Sequence, residues 1–280
     1  MYKFNPILKT MVWGTESWVL SGVPGNESVV AEGPEEGKKI TDIWPGQFPL
    51  LIKFIDAHKD LSIQVHPNDE LAAKRHNCKG KTEMWYVIGA SEGAHLLSGL
   101  KEQIDAEKYV ELIEKDKIVD VLADYPVKEG DVFFLPAGRI HAIGGGCYIA
   151  EIQQTSDITY RIYDYGRLGL DGKPRQLHTQ EAKDAIDYTV YPDYRTHYDA
   201  KPDTDTEIVS CPFFTTTYLE ITKPFSKKVE SDFLIVVCLE GEGTVNGLSL
   251  KAGQAGLLMK EDLDIVPEGT MKVLTSYSPR

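Results

Sequence analysis

The chain has no long hydrophobic run. Its longest uninterrupted apolar segment, Phe233 to Leu239, is far short of the roughly 20 residues that span a bilayer, so a membrane helix is excluded. The opening Met1-Tyr2-Lys3-Phe4-Asn5-Pro6 has neither an apolar core nor a small-residue cleavage site, and no secretory signal is expected. Basic residues are the minority, 30 Lys and Arg against 43 Asp and Glu, for a net charge of −13. Nucleic acid and anionic membrane both require a basic surface, so neither is an expected partner. A small anionic substrate stays open, because a few local cations in a cleft suffice for it. Cysteine is scarce: residues 78, 147, 211 and 238 form no CxxC pair, which points to free thiols in a reducing, cytoplasmic setting. Apolar side chain is not scarce. The 42% hydrophobic fraction, with 24 glycines added, reaches about half the chain, the usual share for an ordered globular protein. At 280 residues, one large domain or two of moderate size are expected.

Helical periodicity is confined to a few short stretches. Ala106–Ile113 places Ala106, Tyr109, Val110 and Ile113 on one face, Lys117–Leu122 continues it, and Thr179–Ile186 carries Thr179 as its expected N-cap. Glu70–Arg75 is a further short helix. Strand signals dominate the rest. Phe48–Asp56 and Leu61–His66 flank Ala57-His58-Lys59-Asp60 as an expected hairpin. Glu83–Ile88, Ala94–Leu97, Asp131–Leu135, Tyr148–Gln153 and Thr159–Tyr163 follow. A second series begins at Phe213–Ile221 and ends at Met271–Ser276. Residues 127–135 (VKEGDVFFL) line up with 250–258 (LKAGQAGLL), each a charged turn with glycine before an apolar strand. That repeat predicts a mainly β protein of two tandem antiparallel domains with a few short helices. The expected division is 1–190, with a small helical insertion around 102–123, and 191–280, with the border in Tyr191–Glu207.

Four segments carry the chemistry. Period-two alternation in Leu61–His66 sends Ser62, Gln64 and His66 to the face opposite Leu61, Ile63 and Val65. The next strand puts Lys81, Glu83 and Trp85 on one face, an ammonium beside a carboxylate. Gly130 to Leu135 is a glycine turn and a buried strand, and Pro136-Ala137-Gly138-Arg139-Ile140 then delivers His141. The last segment runs Glu151, Ser156-Asp157, Tyr160-Arg161 and Gly166-Arg167. Two imidazoles, a carboxylate and an amide oxygen suit a divalent cation. Glutamine is an uncommon zinc ligand, so on composition alone iron and manganese stay open. A lone strand histidine is more often structural, and a Lys-x-Glu pair is more often a solvated ion pair. Their occurrence in register with the Pro-Ala-Gly-Arg-Ile-His string favours a site.

That string, as Gly-x5-Pro-x-Gly-x2-His, resembles the second motif of the cupins, a double-stranded β-helix superfamily. With Leu61-Ser62-Ile63-Gln64-Val65-His66-Pro67, Gly80-Lys81-Thr82-Glu83-Met84-Trp85 and the early Trp13-Gly14 and Glu16-Ser17-Trp18, the chain resembles type I mannose-6-phosphate isomerases, strongly over 4–190 and loosely beyond. The resemblance implies one zinc ion held by Gln64, His66, Glu83 and His141. It implies catalysis by Arg161, with Glu151 and Lys81 in proton handling, and Ser62, Lys81, Asp157 and Arg167 around a sugar phosphate. The expected assembly is a monomer or a homodimer. Relatives have more sequence between the Trp-Gly and Glu-Ser-Trp elements and a larger helical insertion than 102–123 allows. In the second copy the alignment sets Phe233 near the Glu83 position and Asp264 at that of His141, so 191–280 is expected to be a degenerate cupin-like domain without metal. The alternatives are another cupin metalloenzyme of the iron dioxygenase type and a sugar-phosphate binder without turnover. The Lys81, Arg161 and Arg167 set favours an anionic sugar.

Overall fold

Short strands broken by glycine and proline become antiparallel sheets in the computed structural model, which describes residues 1–279. The chain divides into two compact units. One consists of Leu8–Glu16 and Ile55–Arg195; the other of Met1–Ile7, Ser17–Phe54 and the chain from Thr196 onward. The later border falls inside Tyr191–Glu207. Met1–Ile7 and Ser17–Phe54, assigned to the first domain from sequence, lie in the second unit. Strand Tyr2–Phe4 pairs there with Ala255–Met259, Tyr2 opposite Leu257, and on its other edge with Val30–Glu32. A three-residue strand with only Phe4 as a large apolar residue carries no long-range signal of its own.

In the first unit Val132–Leu135, Glu83–Ala90, Cys147–Gln154 and Leu50–Ala57 (which enters the unit at Ile55) lie side by side in one sheet. The other sheet runs Leu122–Pro126, His95–Leu100, His141–Ile143, Ile63–Val65, Tyr160–Tyr163. Trp85, Val87, Phe133, Ile143 and Ile149 belong to one buried cluster of this unit. A second cluster joins Ile63 and Val65 to Tyr109 and Leu112 of helix Ala106–Glu114 and Ala182 of helix Thr179–Ala185.

The second unit repeats this order, with no counterpart of Tyr160–Tyr163. Ala255–Met259, Phe233–Glu240, Met271–Tyr277 and Thr215–Ile221 answer the first sheet; Leu248–Lys251, Glu242–Val245, Leu263–Pro267 and Phe225–Lys227 answer the second. The register repeats too. Gly130 N–H donates to Val87 O and Val87 N–H to Asp131 O; Gly253 N–H donates to Cys238 O and Cys238 N–H to Gln254 O. Gly130 (φ 86°) and Gly253 (φ 81°) hold the left-handed conformation that this turn needs. The match of 127–135 with 250–258 is therefore a match of structure.

Two local expectations are corrected. Leu50–Ala57 and Ile63–Val65 form no hairpin: they belong to different sheets. The amides of the intervening His58 and Lys59 donate to Trp13 O, and that of Leu61 to Ile143 O, so these residues form a crossover. Leu61 accordingly packs with Ile55 and Trp85, in a different cluster from Ile63 and Val65. Thr179 is the first helical residue, not the cap. The cap position is His178, whose N–H donates to Arg161 O and whose Nδ1 accepts from Arg161 N–H.

Candidate active site

The Ile63–Val65 strand buries Ile63 and Val65 toward the helices, which leaves Gln64 on the opposite face. Gln64 is paired with His141 on one side and Arg161 on the other. Pro67 ends the strand, and His66 Nδ1 donates to Ile158 O at 2.9 Å. His141 Nδ1 donates likewise to Arg139 O at 2.8 Å. Each imidazole is thereby fixed in the tautomer that turns a bare Nε2 inward. His66 Nε2 lies 3.5 Å from one oxygen of Glu83, and His141 Nε2 lies 3.2 Å from the other. Donor atoms of His66, Glu83 and His141 all fall within 4.8 Å of one another, and all three side chains are buried. Burial pushes the His141 imidazole down to about 3, so it is neutral, as a ligand must be.

The Pro-Ala-Gly turn is tied to this cluster. Gly138 (φ 93°) donates its N–H to His66 O, and Ala137 N–H donates to Thr82 Oγ1. A Cβ on Gly138 would also meet Ala185 O at 3.0 Å, which is why glycine is needed there. The donor set fits a divalent cation: two neutral imidazoles and a carboxylate, buried on rigid strands. Gln64 presents Nε2 to His141 Nε2 at 3.3 Å; its oxygen would face the same point after rotation of the amide, an assignment that rests on the hydrogen-bond network.

Lys81 Nζ is 2.9 Å from Glu83 and 3.9 Å from Glu151, with all three side chains buried. Ser62 is buried two residues before His66's neighbour Gln64. Arg161 shares Gln64's position on the ladder; its Nη1 donates to Gln176 O, and its buried Nε has no hydrogen-bond partner among the described residues. Burial, and then the charge of Arg175, hold its guanidinium below the usual arginine value. Arg167 donates to Asp164 at 2.7 Å and to Asp60 O, leaving a buried Nη2 without a partner among the described residues. Asp157 is exposed and stands outside the cluster.

Two functional neighbours were not found in the sequence. Arg175 grips Asp164 with two bonds, Nε to Oδ2 at 2.7 Å and Nη2 to Oδ1 at 2.5 Å. Burial alone would raise the Asp164 carboxyl, but the bonds from Arg175 and Arg167 hold it below its ordinary value. The set of Arg161, Arg167 and Arg175 around one aspartate is an electropositive cradle. Arg175 sits in an irregular polar loop, where no periodicity marks it. Trp85, noted only for sharing Glu83's face, donates its indole N–H to Glu151 Oε2 at 2.9 Å.

The second unit fills the corresponding positions differently. The register makes Cys238 equivalent to Val87, hence Leu234 to Glu83; in Leu263–Pro267, the strand that answers His141–Ile143, the buried positions are Leu263 and Ile265. The expected Phe233 and Asp264 are each one residue off. Phe233 instead packs against Phe48 and Trp44 within its own unit, and Asp264 is exposed, accepting from Ser226 Oγ. Leu234 and Leu263 are fully buried in an apolar core.

A buried His/Glu/His cluster that could hold a metal ion, on and beside the strands of a double-stranded β-helix in the first of two copies, marks a cupin with a candidate metal site. The family model for the phosphomannose isomerase type I catalytic domain matches residues 9–89. Mannose-6-phosphate isomerase ManA of Bacillus subtilis is 34% identical, over 86% of this chain and 85% of its own. The mannose-6-phosphate isomerase of Streptococcus mutans is 33% identical over 94% and 88%. The crystal structure of the Bacillus subtilis mannose 6-phosphate isomerase superposes with a TM-score of 0.91 at 29% identity, covering 99% of both chains. The chain belongs to the mannose-6-phosphate isomerase family.

Proposed function

We propose that this chain interconverts mannose 6-phosphate and fructose 6-phosphate through a cis-enediol, with one zinc ion held by Gln64, His66, Glu83 and His141. The observation that carries the reading is the convergence of two unprotonated imidazole nitrogens, the Glu83 carboxylate and the Lys81–Glu151 pair in one buried cluster. Bound zinc supplies a Lewis acid beside the sugar oxygens, a contribution of several kcal/mol to stabilising developing negative charge. Glu151 removes the proton from C2 of the open-chain aldose; the C–H pair becomes the C1–C2 double bond as the carbonyl pair moves onto O1. The same carboxyl then returns its proton to C1. Lys81 carries the proton exchanged between O2 and O1. Arg161, permanently charged, stabilises the enediolate. Ser62 and Arg167 line the sugar and its phosphate, with Asp157 at the rim.

Among the described residues no helix is long and apolar enough to cross a membrane, and all four cysteines are free. We place the activity in the cytosol, in a monomer or homodimer, which sedimentation would distinguish. The test of function is a coupled isomerase assay on protein stripped by a chelator and then given zinc. Turnover should vanish and return, with solvent deuterium entering C2 of mannose 6-phosphate. Turnover indifferent to chelation, exchange without isomerisation, or consumption of O2 would each defeat the reading.

A further inference from the structure

We infer that Trp85 is a positioning residue for Glu151, holding that carboxylate toward the sugar and away from the cation. The inference rests on the reading of Glu151 as the base.

Trp85 and Glu151 are directly opposite on neighbouring strands. Both are buried, and the indole N–H donates to Glu151 Oε2 at 2.9 Å. The same ring stands edge-on to His141, 5.2 Å between centroids at 84°. One rigid side chain therefore touches the base on one side and a metal-ligating imidazole on the other. An indole is a donor with no acceptor, so it can orient an ionised carboxylate and offers no lone pair to a cation. The geometry also sets a competition. Glu151 lies within 3.9 Å of Lys81, which itself is 2.9 Å from Glu83. A carboxylate that shares Lys81 with the ligand Glu83 would compete for a bound cation if it were free to turn; the indole bond holds one of its oxygens back.

The second unit bears on this independently. Where Trp85 faces Glu151, its register sets Val236 opposite Thr275. The donor and the carboxylate are replaced together in the copy whose Glu83 position is a leucine, whereas an indole needed only to fill the barrel would have no reason to change with its acceptor.

The test removes the N–H and keeps the shape. β-(3-Benzothienyl)alanine, with sulfur in place of the indole N–H, is incorporated at position 85 alone in the full chain, and Trp85→Phe is made in parallel. Each is assayed with and without Glu151→Gln. With Glu151 no longer held in one orientation, kcat should fall roughly ten- to hundred-fold, the range of a misplaced general base. KM should hold within about two-fold, the benzothienyl protein should remain folded at the assay temperature, and zinc should be retained as tightly as in the parent or more so. In the Glu151→Gln background the benzothienyl replacement should have no further effect. Unchanged kcat in the benzothienyl protein overturns the inference, as does a loss that tracks zinc loss, or one that persists undiminished in Glu151→Gln. If Glu151→Gln alone keeps the parent kcat, the assignment of the base falls, and Trp85 with it, while isomerase activity itself stands.

Discussion

Replacing Lys81 by methionine separates what a protein cation and a metal cation each do for the same buried carboxylate. The Lys81 ammonium lies 2.9 Å from Glu83 and 3.9 Å from Glu151, and none of the three is appreciably exposed. Lys81→Met keeps the length and the apolar stem but leaves two buried carboxylates without their cation. Breaking a buried pair by removing one partner costs about 3–5 kcal/mol. At roughly 2–4 °C per kcal/mol for a unit of 150–250 residues, the metal-free variant should melt about 6–20 °C below the parent. Zinc supplies positive charge at Glu83, so the deficit should shrink sharply on loading. By linkage the variant must then bind zinc more tightly, by up to roughly a hundred- to thousand-fold for the same free energy. The assay is calorimetry of stripped and zinc-loaded proteins in one buffer at one pH, following the transition of the unit that carries the site. Turnover should be lost in both forms. An unshifted metal-free transition, or a deficit of equal size with and without zinc, would refute the electrostatic account of this cluster.

His141→Ala should abolish stoichiometric zinc and turnover together, measured by elemental analysis and the coupled assay; zinc retained at full stoichiometry would remove His141 from the ligand set. Arg161→Ala should keep zinc but lose roughly 2.7–4 kcal/mol of transition-state stabilisation, a fall in kcat of about a hundred- to thousand-fold, and near-normal kcat would contradict its role. Asp164 has a folded pKa below its ordinary 3.8, mainly through the bonds from Arg175 and Arg167 acting against burial. Its contribution to stability is therefore present above that value and lost as pH falls through the depressed one. Asp164→Asn should melt lower than the parent at neutral pH, with the gap closing below about pH 4; a gap constant to pH 2 would mean that the carboxylate's charge is not what holds the arginine loop.

Much of this was legible from the chain because strand periodicity and motif agree where the chemistry is densest. Gln64 and His66 alternate with core residues; Glu83, Trp85 and the Pro-Ala-Gly turn lie in continuous strand signals, and the paired glycine turns at 130 and 253 betray the repeat. The missing parts depend on contacts that sequence distance hides. Tyr2–Phe4 is too short to announce a place in a sheet completed more than 250 residues later. The crossover at 57–62 looks like a hairpin because a polar turn between apolar strands is the same signal in both cases; what differs is that His58 and Lys59 bond to Trp13. Arg175 reaches Asp164 from a loop without periodicity, and only packing shows that the Trp85 indole bonds to Glu151.

The errors at Phe233 and Asp264 show what fixes the site. Each was displaced by one residue, and in a strand one residue reverses the side chain's face. The inward-facing residues beside them, Leu234, Leu263 and Ile265, fill the core, whereas Asp264 stands in solvent. In the first unit inward positions hold Glu83 and His141, and four strand pairings keep them there: Glu83 opposite Leu135 and Gln153, His141 opposite Gln64, and Gln64 opposite Arg161. Slipping any one of these pairings by a residue would turn a ligand or the guanidinium outward and an apolar side chain in. The bulge between Tyr148 and Ile149, matched by the irregularity between Cys238 and Glu240, and the left-handed glycine turns pin those registers in both copies. The geometry that can hold a cation thus belongs to the backbone pairing shared by the two barrels, and the side chains at a few inward positions decide which barrel uses it.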